Sequence, residues 1–185
     1  MKKFDRNADE FAPIEDGSFK SVPAGGYVAK ITACVDDEAK EYLKLEFDIA
    51  EGEYKGFFAE QYQRAKFWGC RGIRSYKDTA LRFFNGFITA VEKSNPGYTF
   101  DWNAASLVGK HVGLVLGEEE YWSANNGEVR TRLVVSQVRT VEAIKKGEFK
   151  IPAVKPMDDY NQEQAAKYQA EAAPMKQGAD EPTPF

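Results

Sequence analysis

The amino-acid sequence predicts a mainly β protein with an OB-fold, a five-stranded barrel with a helix between strands 3 and 4, followed by a disordered C-terminal tail. Three segments with period-two alternation precede one amphipathic segment of helical period, and at least two strand-like segments follow it. This order is that of the OB-fold. Strand counting alone leaves an unrelated α+β sandwich as the alternative.

Alternating apolar and polar residues predict the first three strands. YVAKITACV (27–35) follows a Pro-Ala-Gly-Gly turn, and its apolar side chains, through Val35, share one face. YLKLEFDIA (42–50) alternates more cleanly, with Asp48 among the outward side chains. FFAEQYQRAKF (57–67) again has period two and is predicted as the third strand. The short connections predict an antiparallel meander.

A loop over WGCRGIRSYKD (68–78) leads into the helix. In SYKDTALRFFNGFITAVEKSNPG (75–97) apolar residues recur at helical spacing, Ser75 is the candidate N-cap, and Asn-Pro-Gly ends the helix. LVGKHVGLVLG (107–117) predicts a buried strand, which would make His111 a core residue.

The last elements are a hairpin and a short helix. EEEYWSANNGEVRTRLVVSQV (118–138) predicts two strands joined by a turn at residues 125–127. TVEAIKKGEF (140–149) predicts a helix that closes the domain.

Composition divides the chain into three parts. Residues 1–21 predict a loosely packed N-terminal arm, and residues 22–151 predict the OB-fold domain. Residues 152–185 contain five of the eight prolines together with much Gln and Ala, a composition that cannot build a core, so they predict a disordered acidic tail.

Several protein classes find no support in the sequence. No apolar run reaches membrane-spanning length, and the charged N-terminus lacks the apolar region of a secretory signal, so we expect a cytosolic protein. Neither a G-x-S-x-G motif nor a Walker loop occurs, so no enzyme, catalytic residue or cofactor is predicted. Cys34, Cys70 and His111 cannot supply a zinc site of the usual spacing, and nothing supports a disulfide.

Charge is segregated along the chain, although the net charge is only −4. Residues 54–82 carry seven Lys and Arg against two acidic residues, whereas residues 152–185 carry three against six. A basic middle and an acidic end indicate that the two regions have different roles, or that one screens the other.

The basic stretch YQRAKFWGCRGIRSYK (62–77) interleaves cations with aromatic rings. Tyr62, Arg64 and Lys66 would project from one face of the predicted third strand. Single-stranded nucleic acid needs cations along its phosphates and flat rings against its bases, so the pattern predicts a DNA-binding surface. Alternatively, the rings cap the barrel and the cations are solvated. The candidate residues are Tyr62, Arg64, Lys66, Phe67, Trp68, Arg71, Arg74, Tyr76 and Lys77.

The predicted hairpin offers a second candidate DNA-binding surface. Its residues are Tyr121, Trp122, Arg130 and Arg132. Three consecutive glutamates, 118–120, stand beside it and would repel phosphate, so we expect the principal surface at residues 62–77.

Four stretches carry a resemblance to a known family. They are PAGGYVAKI (23–31), EYLKLEFDIAEGEYKG (41–56), SYKDTALRFFNGFITAVEKSNPGYTFDW (75–102), and LVGKHVGLVLGEEEY with NNGEVRT (107–121 and 125–131). Together they resemble bacteriophage single-stranded DNA-binding proteins from Gram-positive hosts. The resemblance spans about residues 22–152, and the helix segment is its most specific part. It implies an OB-fold protein that binds single-stranded DNA without catalysis during replication or recombination in the host cytoplasm.

The tail ends in GADEPTPF (178–185), which places Phe185 at the end of a polar segment. An exposed Phe gains nothing for folding, so binding by another protein would explain it; a frayed end is the alternative. The ending resembles that of bacterial single-stranded DNA-binding proteins, whose acidic tip docks replication and repair enzymes. The resemblance implies helicase, primase or recombinase partners. The matching residues are Asp180, Glu181, Pro184 and Phe185.

The resulting hypothesis is a homo-oligomeric single-stranded DNA-binding protein, with a dimer expected, that has no cofactor and no membrane association. Two alternatives belong to other classes. One is a protein–protein adaptor that never contacts DNA. The other is an accessory subunit of a phage replication or recombination complex.

Overall fold

The computed structural model describes residues 21–123, 127–159, 162–163 and 165–167. Up to residue 145 these residues form five antiparallel strands and three α-helices, and residues 162–163 and 165–167 are also helical. The sheet order is β3-β2-β1-β4-β5. The edge strands β3 and β5 touch without hydrogen bonding, which leaves a nearly closed, OB-like barrel and confirms the predicted fold class. The elements are β1 (Gly25–Asp37), β2 (Tyr42–Ile49), α1 (Phe57–Ala65), β3 (Arg71–Ser75), α2 (Leu81–Ser94), β4 (His111–Ser123), β5 (Glu128–Arg139) and α3 (Val141–Lys145), with 3-10 turns at Glu38–Lys40, Asp78–Ala80 and Ala104–Leu107.

The first two strands follow the predicted alternation until a bulge interrupts it. On β2 every second side chain from Leu43 to Ile49 is buried, as predicted. The pairing of β1 with β2 skips Thr32, which is therefore the extra residue of a β-bulge. The bulge reverses which side chains face the core, so Val35, predicted to be inward, is 57% exposed.

The segment 57–67, predicted as the third strand, instead contains helix α1. The Asp48 carboxylate accepts hydrogen bonds from the backbone N–H groups of Phe58 (3.0 Å) and Ala59 (3.3 Å), which are donors left unpaired at a helix start. Asp48 is thus buried rather than outward. The third strand, β3, comes from the segment predicted as a loop.

Helix α2 begins later than predicted and ends where predicted. Ser75 is the last residue of β3, and its hydroxyl donates to the Glu41 carbonyl (3.2 Å) instead of capping a helix. The helix buries one face against the core and stops at residues 95–97, where Gly97 has a φ of +83°. The buried residues of α2 are Phe84, Phe87, Ala90 and Val91.

The second half of the barrel confirms the predicted hairpin and closing helix. Pairing continues to Ser123 and Glu128, while turn residues 124–126 lie outside the described part of the chain. Helix α3 is capped by Thr140, whose Oγ1 accepts from the Ala143 N–H (3.1 Å). His111 is exposed at the start of β4 and is not the core residue predicted.

The beginning of the predicted tail is attached to β4. The Glu120 N–H donates to the Lys155 carbonyl (2.9 Å), and the Lys155 N–H donates to the Glu118 carbonyl (2.8 Å). The boundary between barrel and tail therefore falls later than residue 152. The arm at residues 1–20 and the segment 168–185 lie outside the described residues.

Candidate nucleic-acid interface

A groove of about 1050 Å³ runs across β2 and β3. Val35 and Ile73, each 57% exposed, contribute apolar surface to it. Lys44, Arg71, Arg74 and Lys155 contribute positive charge. In OB-folds the face of strands 2 and 3 binds oligonucleotides and oligosaccharides, so this groove lies where the fold binds its ligands.

Two cations of the groove form ion pairs with carboxylates beside them. Arg71 Nε lies 2.9 Å from Glu46 Oε1, directly across the β2–β3 pairing. Lys44 Nζ lies 2.9 Å from Asp37 Oδ2, and this hydrogen bond lowers the pKa of Asp37 and raises that of Lys44. Exposed pairs of this kind contribute little to stability because solvent screens them, so a ligand phosphate could displace them.

Glu119 binds Lys155, another cation of the groove. Its carboxylate accepts from Arg132 Nη2 (2.7 Å) and Lys155 Nζ (3.0 Å), and these hydrogen bonds, Arg132 first, lower the pKa of Glu119. The same contact fixes residue 155 at the side of the groove. The beginning of the predicted tail thus supplies part of the groove lining.

An aromatic cluster lies on α1 and the loop that follows it. The rings of Tyr62 and Trp68 have centroids 6.0 Å apart, and Lys66 Nζ lies 5.9 Å from the Tyr62 centroid. Phe67 is 58% exposed. Tyr62 and Lys66 meet because they are four residues apart at the helix end, whereas Arg64 approaches Glu60 (3.9 Å). The predicted arrangement of Tyr62, Arg64 and Lys66 on one strand face is therefore wrong.

The aromatic cluster adjoins one end of the groove. The Trp68 Nε1–H group donates to the Phe47 carbonyl (2.9 Å), which leaves Trp68 half-buried against β2. Phe47 directly follows Glu46, whose carboxylate binds Arg71 in the groove.

Arg74, Tyr76 and Lys77 differ in their environments, and of these Arg74 also lines the groove. Arg74 points inward, with its guanidinium carbon 5.8 Å from the Phe87 ring centroid, and burial lowers its pKa. The Tyr76 hydroxyl donates to Asp36 Oδ1 (2.8 Å), a hydrogen bond that raises the pKa of Tyr76 to about 12. Lys77 is exposed beyond the end of β3.

The hairpin does not present the surface expected from the sequence. Trp122 is only 9% exposed, so its ring is not available for base stacking. Arg130 pairs with Glu128 (2.6 Å), and Arg132, bound to Glu119, lies 5.5 Å from the Tyr121 ring centroid. Of the three glutamates expected to repel phosphate, Glu119 thus binds Arg132 directly in an ion pair.

Sequence reasoning did not find four residues of the groove. Lys44 on β2 and Ile73 on β3 lie opposite each other. The alternation of side chains along each strand would place both outward once residues 71–75 are assigned as a strand. Val35 is exposed only because of the bulge, and Lys155 reaches the groove only because its segment binds β4. These last two have no local sequence signal.

Comparisons with models of known protein families and with curated proteins find no match to this chain. Within the described residues no helix has the length and apolar character to cross a membrane, and no group of His, Cys, Asp and Glu is arranged to hold a metal. Cys34 and Cys70 are free thiols, and burial raises the pKa of Cys70 to about 12, so it stays protonated near neutral pH.

Proposed function

We propose that this protein binds single-stranded DNA without catalysis, in the groove across β2 and β3, and protects the strand during DNA replication or recombination. The observation that carries the proposal is the combination, in one groove, of exposed apolar Val35 and Ile73 with the cations of Lys44, Arg71 and Lys155. Single strands need both surfaces, cations along the phosphates and apolar or flat groups against the bases.

The aromatic cluster on α1 extends this surface beyond the groove. Tyr62 is 43% exposed and Phe67 is 58% exposed, so both can stack against bases without rearrangement of the core. Trp68 holds the cluster against β2 through its hydrogen bond to Phe47. Its main role is therefore to position the neighbouring rings.

Fluorescence anisotropy tests this function directly. Labelled oligo(dT), a matched duplex and a matched RNA are titrated with the protein at two salt concentrations. We expect tight binding of oligo(dT), weaker binding of duplex, and affinity that falls steeply with salt because phosphate contacts release counterions. Duplex binding equal to oligo(dT) binding would contradict a groove shaped for single strands.

A protein–protein adaptor is the second candidate. It is favoured by the ion pairs that already engage the groove cations, with Glu46, Asp37 and Glu119 as partners. A groove with alternating charges fits a polar peptide as well as a nucleic acid. Unchanged anisotropy with all three nucleic acids, from a protein shown to be folded, would favour the adaptor.

Partner recruitment through residues 178–185 and assembly into a dimer stay predictions of the sequence. Deleting residues 178–185 should reduce recovery of a helicase, primase or recombinase in a pull-down. Equal recovery with and without the segment would leave the frayed-end interpretation. Sedimentation of the full chain measures the oligomeric state.

A further inference from the structure

A second cleft, of about 630 Å³, lies at the seam between β3 and β5 beside helix α2. Three elements each contribute one arginine to it: Arg74 from β3, Arg82 from α2 and Arg139 from β5. Among the described residues that line it there is no Asp or Glu. We refer to this feature as the arginine cleft.

None of the three guanidinium groups forms an ion pair with a carboxylate of the described residues. Arg74 Nη1 donates to the Ile73 carbonyl (2.8 Å), and Arg139 donates to Gln137 Oε1 from Nε (3.2 Å) and Nη2 (2.9 Å). Burial lowers the pKa of Arg74, because its charge loses solvation without gaining a counter-charge. An anion entering the arginine cleft would supply that missing partner.

An exposed aromatic ring lies in the wall of the arginine cleft. Phe83 is 79% exposed, although it directly precedes Phe84, which is buried in the core. The core therefore does not account for a phenyl ring at position 83. A ring beside guanidinium groups is the combination that accepts a base together with its phosphate.

Helix α2 places a glycine in the wall of the arginine cleft. Gly86 lines it one helical turn after Arg82 and Phe83. A Cβ atom at Gly86 would meet nothing within 4 Å, and its backbone is not in the left-handed region, so neither packing nor conformation requires glycine. Glycine is unfavourable inside a helix, whereas a longer side chain would extend along the face that carries Arg82.

We infer that the arginine cleft binds the phosphate group of a nucleotide, with Arg74, Arg82 and Arg139 facing the phosphate and Phe83 against the base. Guanidinium forks match phosphate oxygens in bidentate geometry, and the absence of a lining carboxylate means that no internal ion pair has to break. The nucleotide is either free or part of a nucleic-acid strand. This site goes beyond the function proposed above, because it needs no strand in the groove across β2 and β3.

The test uses thymidine 5′-monophosphate as the probe for the full chain. Amide chemical shifts of Arg82, Phe83 and Arg139 should move with the probe and saturate. Thymidine and inorganic phosphate should each bind at least about tenfold more weakly, because each lacks one of the two contacts. Equal affinity for inorganic phosphate or sulfate would overturn the nucleotide assignment.

Two sets of variants locate the binding. Arg82→Ala with Arg139→Ala should weaken thymidine monophosphate binding at least about tenfold, since two charge-assisted contacts are lost. Gly86→Leu should abolish it by filling the arginine cleft, while Gly86→Ala retains it. Lys93→Ala with Lys146→Ala, two exposed cations that do not line the cleft, is the matched control. Unchanged affinity in both the double arginine variant and Gly86→Leu, with helical content preserved by circular dichroism, would overturn the site.

Binding of oligo(dT) separates the two sources of the nucleotide. The groove and the arginine cleft adjoin at Ile73 and Arg74, which line both. If a strand supplies the nucleotide, the double arginine variant should therefore weaken binding of oligo(dT) of about 16 nucleotides. If free nucleotide supplies it, this oligomer binds the variant normally and only monophosphate binding is lost. A failure of the proposed groove would appear separately, as unchanged oligo(dT) binding in variants of the groove cations Lys44, Arg71 and Lys155.

Discussion

The groove across β2 and β3 and the arginine cleft at the β3–β5 seam share strand β3 and meet at Arg74, which lines both. The two arginines of this strand nevertheless have different partners. Arg71 lies opposite Glu46 and forms an ion pair with it. Arg74 lies opposite Leu43, faces the interior, and has no carboxylate partner among the described residues. Arg71 and Arg74 are three residues apart on one strand, so their side chains lie on opposite faces and have different cross-strand neighbours. The register of the β2–β3 pairing therefore decides which arginine has a carboxylate partner.

The two regions should therefore respond differently to ligands. In the groove, phosphate must compete with carboxylates that already hold the cations in place. In the arginine cleft, phosphate meets guanidinium groups without internal competition. The groove offers length and apolar surface for a strand, while the arginine cleft offers concentrated charge for one phosphate.

Removing the groove cations should have the largest effect. The triple variant Lys44→Ala, Arg71→Ala and Lys155→Ala should lower oligo(dT) affinity on the order of 100-fold and reduce the salt slope by about 2, since three phosphate contacts are lost. Anisotropy at several salt concentrations measures both. The matched control removes three exposed cations outside the groove, Lys93, Lys145 and Lys146. An equal loss in the control would assign the effect to overall charge.

Replacing each exposed phenylalanine with alanine should show which region binds which ligand. Phe67→Ala should cost about 1–3 kcal/mol of oligo(dT) binding and leave thymidine monophosphate binding unchanged. Phe83→Ala should weaken thymidine monophosphate binding by a similar amount. Both rings are mostly exposed, so unfolding free energies should change by less than about 0.5 kcal/mol. The comparison fails if either substitution affects both ligands equally.

Gly86→Ala should raise the free energy of unfolding by about 0.5–1 kcal/mol, because glycine is unfavourable in a helix interior and the added methyl group meets no neighbour. Chemical denaturation measures this. Thymidine monophosphate affinity should stay the same. A destabilised Gly86→Ala protein would mean that the glycine is required by packing, and its role in the arginine cleft would lose its basis.

Glu46→Gln should raise oligo(dT) affinity by a few-fold, since the exposed ion pair that competes with phosphate contributes about 1 kcal/mol or less. Anisotropy with oligo(dT) measures the gain, and thymidine monophosphate binding at the arginine cleft should not change. Reduced oligo(dT) affinity would indicate that Glu46 orients Arg71 for the ligand.

Acidification should loosen the contact between Lys155 and β4. Hydrogen bonds from Arg132 and Lys155 lower the pKa of Glu119 below its ordinary 4.5, so its ion pairs stabilise the folded state fully above pH 4.5 and are lost as the pH falls through the lowered pKa. Amide exchange at Glu120 and Lys155 should therefore be protected at pH 5 to 7 and lose protection in more acidic solution. The Glu119→Gln variant should show the weaker protection at every pH.

The sequence located part of the candidate site. The basic stretch predicts Arg71 and Arg74, and its aromatic residues include Tyr62 and Phe67. The sequence does not predict Lys44, Lys155 or Phe83 as site residues, because they lie in other segments that reach the two cavities only in the folded barrel. Trp122 was expected at the surface, although its indole is buried.

The sequence by itself determined the elements whose signals are local. The alternation of β2, the hairpin of β4 and β5, the stop of α2 and the Thr140 cap of α3 each depend on residues within a few positions of one another. Their order predicted an OB-like barrel, with an unrelated α+β sandwich as the alternative that strand counting left open.

Tertiary structure decided the features that depend on distant partners. Residues 57–65 form a helix because Asp48, ten positions before Phe58, receives the N–H groups at its start, although their alternation also suits a strand. Val35 is exposed because β1 bulges against β2. Arg71 and Arg74 differ because of the residues that the pairing places opposite them. The local sequence shows which side chains are apolar, but the pairing with a neighbouring strand determines which face of the sheet they lie on.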